Sequence, residues 1–158
     1  ISSRPQRILR AMSCVLGVVF LFAAASKAAS PGGVRSVLTY LFGASDLASF
    51  VALSALIATE VALGVSLIAR WRPRLVLSTT LMALLGFTVI VARLMIDTAA
   101  PRCGCTGESL LQLNAVVSNG VALGRNLLLI GITLVGLGAT FSIGAAPPAE
   151  APEPPIGD

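Results

Sequence analysis

Four long apolar stretches constrain this chain more than any other feature of its sequence. A helix that crosses the hydrocarbon core of a bilayer needs about 20 apolar residues, and each stretch has that length. The predicted spans cover residues 8–29, 47–69, 75–96 and 121–143. None of them alternates apolar and polar residues, and each is too long for a buried strand. The sequence therefore predicts an all-α integral membrane protein with a four-helix transmembrane bundle.

The composition also indicates a membrane protein. Only 11% of the 158 residues are charged and the mean hydropathy is +0.92, whereas soluble domains have about 25% charged residues. The chain contains no histidine, which excludes His-ligated metal sites and His-based catalysis. We interpret the net charge of +4 as a signal of membrane topology and not of nucleic-acid binding.

The spans define one transmembrane domain over residues 1–144, with two short outer loops. Residues 145–158 are rich in proline, alanine and glutamate and predict a flexible, disordered tail. The first span has an alternative interpretation as a cleaved signal peptide, because arginines precede it and Ala-Ser-Lys-Ala ends it. Its apolar run is longer than a usual signal core, which favours a retained span.

Two arginine clusters, at positions 4–10 and 70–74, fall on the same side of a four-span bundle. The positive-inside rule assigns that side, and both termini, to the cytoplasm. The loops near residues 30–46 and 97–120 then face the periplasm or the cell exterior.

The second of these loops contains the most informative segment, Pro101 to Gly107, which reads Pro-Arg-Cys-Gly-Cys-Thr-Gly. Paired cysteines outside the cytoplasm are usually bridged or redox-active, and a Cys103–Cys105 bridge would close a small, strained ring that favours exchange. Arg102 would stabilise a thiolate. A static bridge, bonds to cysteines of a partner, and a Cu(I) site remain alternatives. Cys14 is assigned to ordinary helix packing.

Glu60 lies about 13 residues from the outer end of the second span, which is about 20 Å at 1.5 Å per residue. An acid at that depth is costly in lipid, so we expect it to face the bundle interior and to contact a hydroxyl, a basic group or a ligand. Its candidate roles are proton acceptor, quinone hydrogen-bond partner and partner of a buried cation. The alternative is a protonated acid bonded to Thr79, Thr80 or Thr88.

Four basic side chains are predicted at or near the outer rim: Lys27, Arg93, Arg102 and Arg125. Lys27 can extend its amine to the rim, and Arg93 can pair with Asp97 one helical turn later. Each is an interfacial anchor or, alternatively, part of a group that binds an anionic head group or an acidic partner.

Four motifs occur in an order that resembles a known family. The first span runs from Gly17 to Lys27 as Gly-Val-Val-Phe-Leu-Phe-Ala-Ala-Ala-Ser-Lys, and the second contains Glu60-Val-Ala-Leu-Gly64. The loop reads Cys103-Gly-Cys-Thr-Gly, and the fourth span begins Arg125-Asn-Leu-Leu. Together these motifs resemble the MauE-like, methylamine-utilisation branch of the DoxX-like membrane proteins, over about residues 15–135.

This resemblance implies a protein of the bacterial inner membrane that helps a periplasmic thioredoxin-like partner form disulfides during maturation of an exported enzyme. Cys103 and Cys105 would be the redox pair in a periplasmic loop, and Glu60 would handle protons. The cofactor-binding candidates are Lys27, Arg125 and Asn126. A quinone is the candidate cofactor, and no metal is expected. The alternative function is a non-catalytic accessory subunit of a larger membrane complex, so whether the chain is an enzyme stays open.

Overall fold

The computed structural model describes residues 4–97, 101 and 115–144, and these ranges form helices without strands. In chain order the helices are α1 (Arg4–Ala29), α2 (Gly32–Phe42), α3 (Asp46–Ala69), α4 (Pro73–Ile96) and α5 (Ala115–Gly144). Helices α1, α3, α4 and α5 are long and apolar enough to cross a membrane. The predicted four-helix membrane fold is therefore confirmed, while the predicted tail at 145–158 lies outside the described residues.

Helix α2 replaces one of the two short loops that the sequence predicts. Its apolar residues at positions 34, 37, 38 and 41 follow the spacing of one helical face. The helix ends at Gly43, whose positive φ of 59° allows its backbone N–H to bond the carbonyl of Thr39 at 2.9 Å. With 11 residues, α2 is too short to span a bilayer, so its length and hydropathy do not distinguish it from a loop.

The bundle has two distinct ends. The α2 end carries α2, the start of α3 at Asp46 and the end of α4 at Ile96. The opposite end, here called the arginine end, carries the connection of residues 70–72 between α3 and α4. There Arg74 donates a hydrogen bond to the carbonyl of Thr140 on α5 at 3.1 Å. Helix α1 therefore begins, and α5 finishes, at the arginine end.

The long helices pack as two close pairs, α1 with α3 and α4 with α5, whereas α3 and α4 touch each other much less. One apolar cluster joins the two pairs and consists of Leu16, Phe20, Leu63, Leu67, Leu77, Leu84 and Leu129. A second cluster, nearer the α2 end, consists of Val37, Val91, Leu94 and Ala122. The line of contact between α3 and α4, here called the α3–α4 seam, is thus the loosest contact between consecutive spans.

Candidate functional site

A buried ion pair joins α1 to α3. The Nζ atom of Lys27 lies 2.6 Å from Oε1 of Glu60, and the two side chains are only 3% and 4% exposed. Removing one partner of such a pair typically costs about 3–5 kcal/mol, because it leaves the other charge buried alone. The prediction that Glu60 faces the interior is confirmed, and of the three kinds of partner that it allowed, Glu60 contacts a basic group.

None of the three predicted hydroxyls bonds to Glu60, and the buried hydroxyl of Thr80 has no hydrogen-bond partner among the described residues. Thr79 and Thr88 instead donate to carbonyls one turn earlier in their own helix, at 3.0 Å and 2.7 Å respectively. These local bonds are the usual way in which a threonine satisfies its hydroxyl inside a helix. Glu60 is therefore paired with a cation, as one of the sequence-based interpretations proposed.

Two glycines bring α1 and α3 close enough for this ion pair. A Cβ atom on Gly17 would lie 2.8 Å from the carbonyl oxygen of Gly64, and a Cβ on Gly64 would lie 3.0 Å from the carbonyl oxygen of Gly17. The two backbones thus touch without intervening side chains, as small residues allow in membrane helices. Both glycines belong to the motifs identified in the sequence, but only the structure shows that they contact each other.

The placement of Lys27 at the outer rim is wrong, because α1 ends well inside the length of α3. Ala29 closes α1 two residues after Lys27, whereas α3 starts at Asp46, 14 residues before Glu60. Those 14 residues extend for about 21 Å. The Lys27 ammonium therefore has no short route to the surface, and its side chain turns to Glu60.

Helix α2 covers the shortened end of α1. Its apolar face contributes Val34, Leu38 and Leu41 to a cavity of about 70 Å³, which Lys27 and Phe87 also line. The amphipathic spacing of α2 thus separates the buried lysine from the α2 end of the bundle.

The polar face of α2 is fixed to the two neighbouring helices. Arg35 pairs with Asp46 at 3.0 Å, and the hydroxyl of Tyr40 donates a hydrogen bond to Asp97, which follows α4. This hydrogen bond is the main reason that the pKa of Tyr40 is raised, while the nearby Arg93 acts in the opposite direction. The pairing of Arg93 with Asp97 stays a prediction, and the sequence gave no indication of Tyr40.

Helix α5 adds a second cation and an amide to the site. Arg125 and Asn126 line a small cavity together with Glu60 and Phe87. Its volume of about 20 Å³ is close to the space of one water molecule. Arg125 acts electrostatically on both members of the ion pair, and it is therefore part of the interior site and not of the rim. This corrects its predicted position.

Phe87 is the site residue that sequence reasoning missed. Its ring centroid lies 5.8 Å from Nζ of Lys27, within the range of a cation–π contact. Among the described residues, it also lines three cavities that include a member of the ion pair. A phenylalanine in an apolar span carries no distinguishing signal, so only the folded arrangement identifies it.

A larger cavity lies along the α3–α4 seam. This groove of about 240 Å³ has walls of Leu56, Glu60, Ala83, Gly86, Phe87 and Ile90, among others. The second carboxylate oxygen of Glu60, Oε2, is buried and has no hydrogen-bond partner among the described residues. Thr59 also lines the groove, but its hydroxyl donates to the carbonyl of Ala55 in its own helix at 2.8 Å. Glu60 thus presents an unbonded acceptor in a mostly apolar groove.

The predicted redox cysteines lie outside the described residues, as does Arg102. Cys103 and Cys105 belong to the connection from Asp97, at the end of α4, to the start of α5. The third cysteine, Cys14, is exposed on α1, whereas the sequence assigned it to ordinary helix packing. Within the described ranges, no group of three His, Cys, Asp or Glu side chains could hold a metal ion.

These features define a class: a multi-pass helical membrane protein with a buried, charged site between its spans. The family model described as methylamine utilisation protein MauE matches residues 5–139, which include every described residue of the site. The chain therefore belongs to the MauE family, and it is a membrane protein associated with methylamine utilisation. No curated protein and no solved structure matches it.

Proposed function

We propose that this chain is a membrane thiol–disulfide redox protein that assists disulfide formation in an exported partner enzyme. One observation carries the proposal: Cys103-Gly-Cys105 occurs in the connection between α4 and α5, the two helices that contribute Phe87 and Arg125 to the buried site. Family membership agrees with a role in methylamine utilisation. The partner would be a thioredoxin-like protein of the periplasm.

The exchange consists of two thiol–disulfide steps. A thiolate of the partner attacks one sulfur of a Cys103–Cys105 disulfide, forming a mixed disulfide and releasing the other cysteine as a thiolate. A second partner thiolate then attacks the mixed disulfide, so that the partner gains an S–S bond. The partner loses two electrons and two protons, and the Cys103–Cys105 pair accepts them. Arg102 favours the reaction by stabilising the released thiolate.

This function requires the cysteines to face the periplasm. The arginine end contains Arg70, Arg72 and Arg74, and we assign it to the cytoplasm by the positive-inside rule. The α2 end then faces the periplasm of a bacterial inner membrane. In a variant without native cysteines, Ser36→Cys should react with an impermeant maleimide added to whole cells and Trp71→Cys should not; the reverse pattern would overturn this orientation.

Trapping of a mixed disulfide tests the exchange itself. The purified protein is mixed with a reduced thioredoxin-fold protein that retains only its attacking cysteine, and the products are separated without reductant. We expect a mixed disulfide with the wild type and with the matched control Cys14→Ser. Cys103→Ser and Cys105→Ser should form none, because neither contains a bridge for the thiolate to attack.

Two results would count against the proposal. One is the absence of a mixed disulfide with the wild type, and the other is equal trapping by the Cys103→Ser and Cys105→Ser variants. Either result would favour the non-catalytic accessory subunit, in which these cysteines serve only structure.

A further inference from the structure

The α3–α4 seam provides a route from the lipid to the buried ion pair. Because α3 packs mainly on α1 and α4 mainly on α5, the groove of about 240 Å³ remains between the two pairs. Thr59 and Gly86, which line it, are exposed on the outside of the bundle. Glu60 is 14 residues from the start of α3 and 9 from its end at Ala69, so the groove lies near the middle of the span.

The chemistry of the groove specifies what it can hold. Its walls are mostly aliphatic, with Phe87 as an aromatic surface. Glu60 Oε2 is the acceptor without a partner among the described residues, and leaving a buried acceptor unbonded is unfavourable. Lys27 on the other oxygen, Oε1, stabilises the ionised carboxylate. A matching ligand is therefore apolar and has one group that donates a hydrogen bond.

We propose that the groove binds a lipid-soluble hydroquinone. A hydroxyl of the ring donates to Glu60 Oε2, the ring lies against Phe87, and the apolar tail leaves between α3 and α4 into the lipid. The volume is sufficient, since an apolar cavity of about 150 Å³ in another protein accepts benzene. The space beside Gly86 is open to the ligand, because a Cβ atom on this residue would meet nothing within 4 Å.

This inference rests on the proposed function only for the source of the electrons. The reduced Cys103–Cys105 pair would give two electrons and two protons to a quinone, which regenerates the disulfide and yields the hydroquinone. The binding itself depends on the groove and on Glu60, and not on the cysteines. The two proposals can therefore fail separately.

Binding in lipid nanodiscs tests the proposal. The probes are a decyl-substituted hydroquinone, kept reduced, and its dimethyl ether, which has the same shape but no hydroxyl donor. Equilibrium dialysis measures each dissociation constant, with empty nanodiscs correcting for partition into lipid. We expect the hydroquinone to bind the wild type at least about tenfold more tightly than the dimethyl ether does. This ratio corresponds to about 1.4 kcal/mol.

Two variants distinguish binding in the groove from binding elsewhere on the lipid-facing surface of the bundle. Gly86→Leu fills the groove without a clash of its Cβ atom and should abolish the difference between the two probes. Gly131→Leu, at an exposed position of α5 where a Cβ also meets nothing within 4 Å, should preserve it. Equal binding of both probes to the wild type, or full retention of the difference in Gly86→Leu, would overturn the proposal.

The cysteine variants show whether hydroquinone binding depends on the redox pair. Cys103→Ser should bind the hydroquinone as the wild type does, whether or not thiol exchange takes place. Loss of binding in Cys103→Ser would show that the ligand site includes the cysteine connection, and that result also overturns the assignment to the α3–α4 groove.

Discussion

The contact between Gly17 and Gly64 determines how closely α1 approaches α3, and Gly17→Ala tests it. The new Cβ atom would lie 2.8 Å from the carbonyl oxygen of Gly64 and 2.7 Å from Cγ1 of Ile68. The Ile68 side chain can rotate, but the Gly64 carbonyl belongs to the helix backbone. The two helices must therefore separate by several tenths of an ångström, which lengthens the 2.6 Å ion pair between Lys27 and Glu60.

The size of the effect follows from two opposing terms. Overpacking a close contact costs about 1–3 kcal/mol, and the better helix propensity of alanine returns up to about 1 kcal/mol. Gly131→Ala on α5 gains helix propensity without any overpacking, because a Cβ there meets nothing within 4 Å. The propensity gain is common to both variants. We therefore expect Gly17→Ala to be less stable than Gly131→Ala by about 1–3 kcal/mol.

Reversible unfolding in mixed micelles, followed by circular dichroism, gives the free energies of unfolding for this comparison. The two alanine variants are measured beside the wild type under identical lipid and detergent conditions. If their free energies of unfolding agree within about 0.5 kcal/mol, which is the usual scatter of neutral surface changes, then the close approach of α1 and α3 does not stabilise the bundle and the reasoning is refuted.

Two further predictions concern the ion pair and the attachment of α2. Lys27→Met should lower the free energy of unfolding by about 3–5 kcal/mol, because it leaves the buried Glu60 without its cation. The double variant Lys27→Met/Glu60→Leu should recover most of that loss. A double variant no more stable than Lys27→Met would contradict this. Tyr40 is the one tyrosine in the chain, so tyrosinate absorbance reports its pKa directly. The Asp97 carboxylate raises that pKa above 10.0, so the contact stabilises the folded protein below pH 10 and is lost as the pH rises through the folded-state value. Asp97→Ala should lower the pKa, and an unchanged titration curve would exclude the hydrogen bond.

The sequence predicts the four spans well because their length and hydropathy depend on the bilayer and not on neighbouring helices. It also predicts the interior position of Glu60, since the cost of an unpaired acid in lipid holds for any arrangement of the spans. Both features are properties of a single helix in its solvent.

Lys27 and Arg125 are misplaced for the opposite reason. The depth of Lys27 depends on where α1 ends relative to α3 and on how α2 covers that end. The depth of Arg125 depends on the start of α5 at Ala115, ten residues before it, whereas the predicted span began at residue 121. Phe87 joins the site only because α4 turns it toward Lys27. The redox role of Cys103 and Cys105 and the involvement of a quinone remain predictions from the sequence.

The Lys27–Glu60 pair also has a consequence for biogenesis. A lysine at the centre of an inserting helix costs about 2.5–3.5 kcal/mol, and Lys27, in the last turn of α1, adds a smaller cost of the same sign. The compensating acid lies 33 residues later in the chain, on a helix that is synthesised only after α1 and α2. Until α3 arrives, α1 therefore contains an uncompensated charge, and we expect it to settle at its final depth only when it pairs with α3. The motifs that contain Lys27 and Glu60 are thus linked by the order of synthesis as well as by packing.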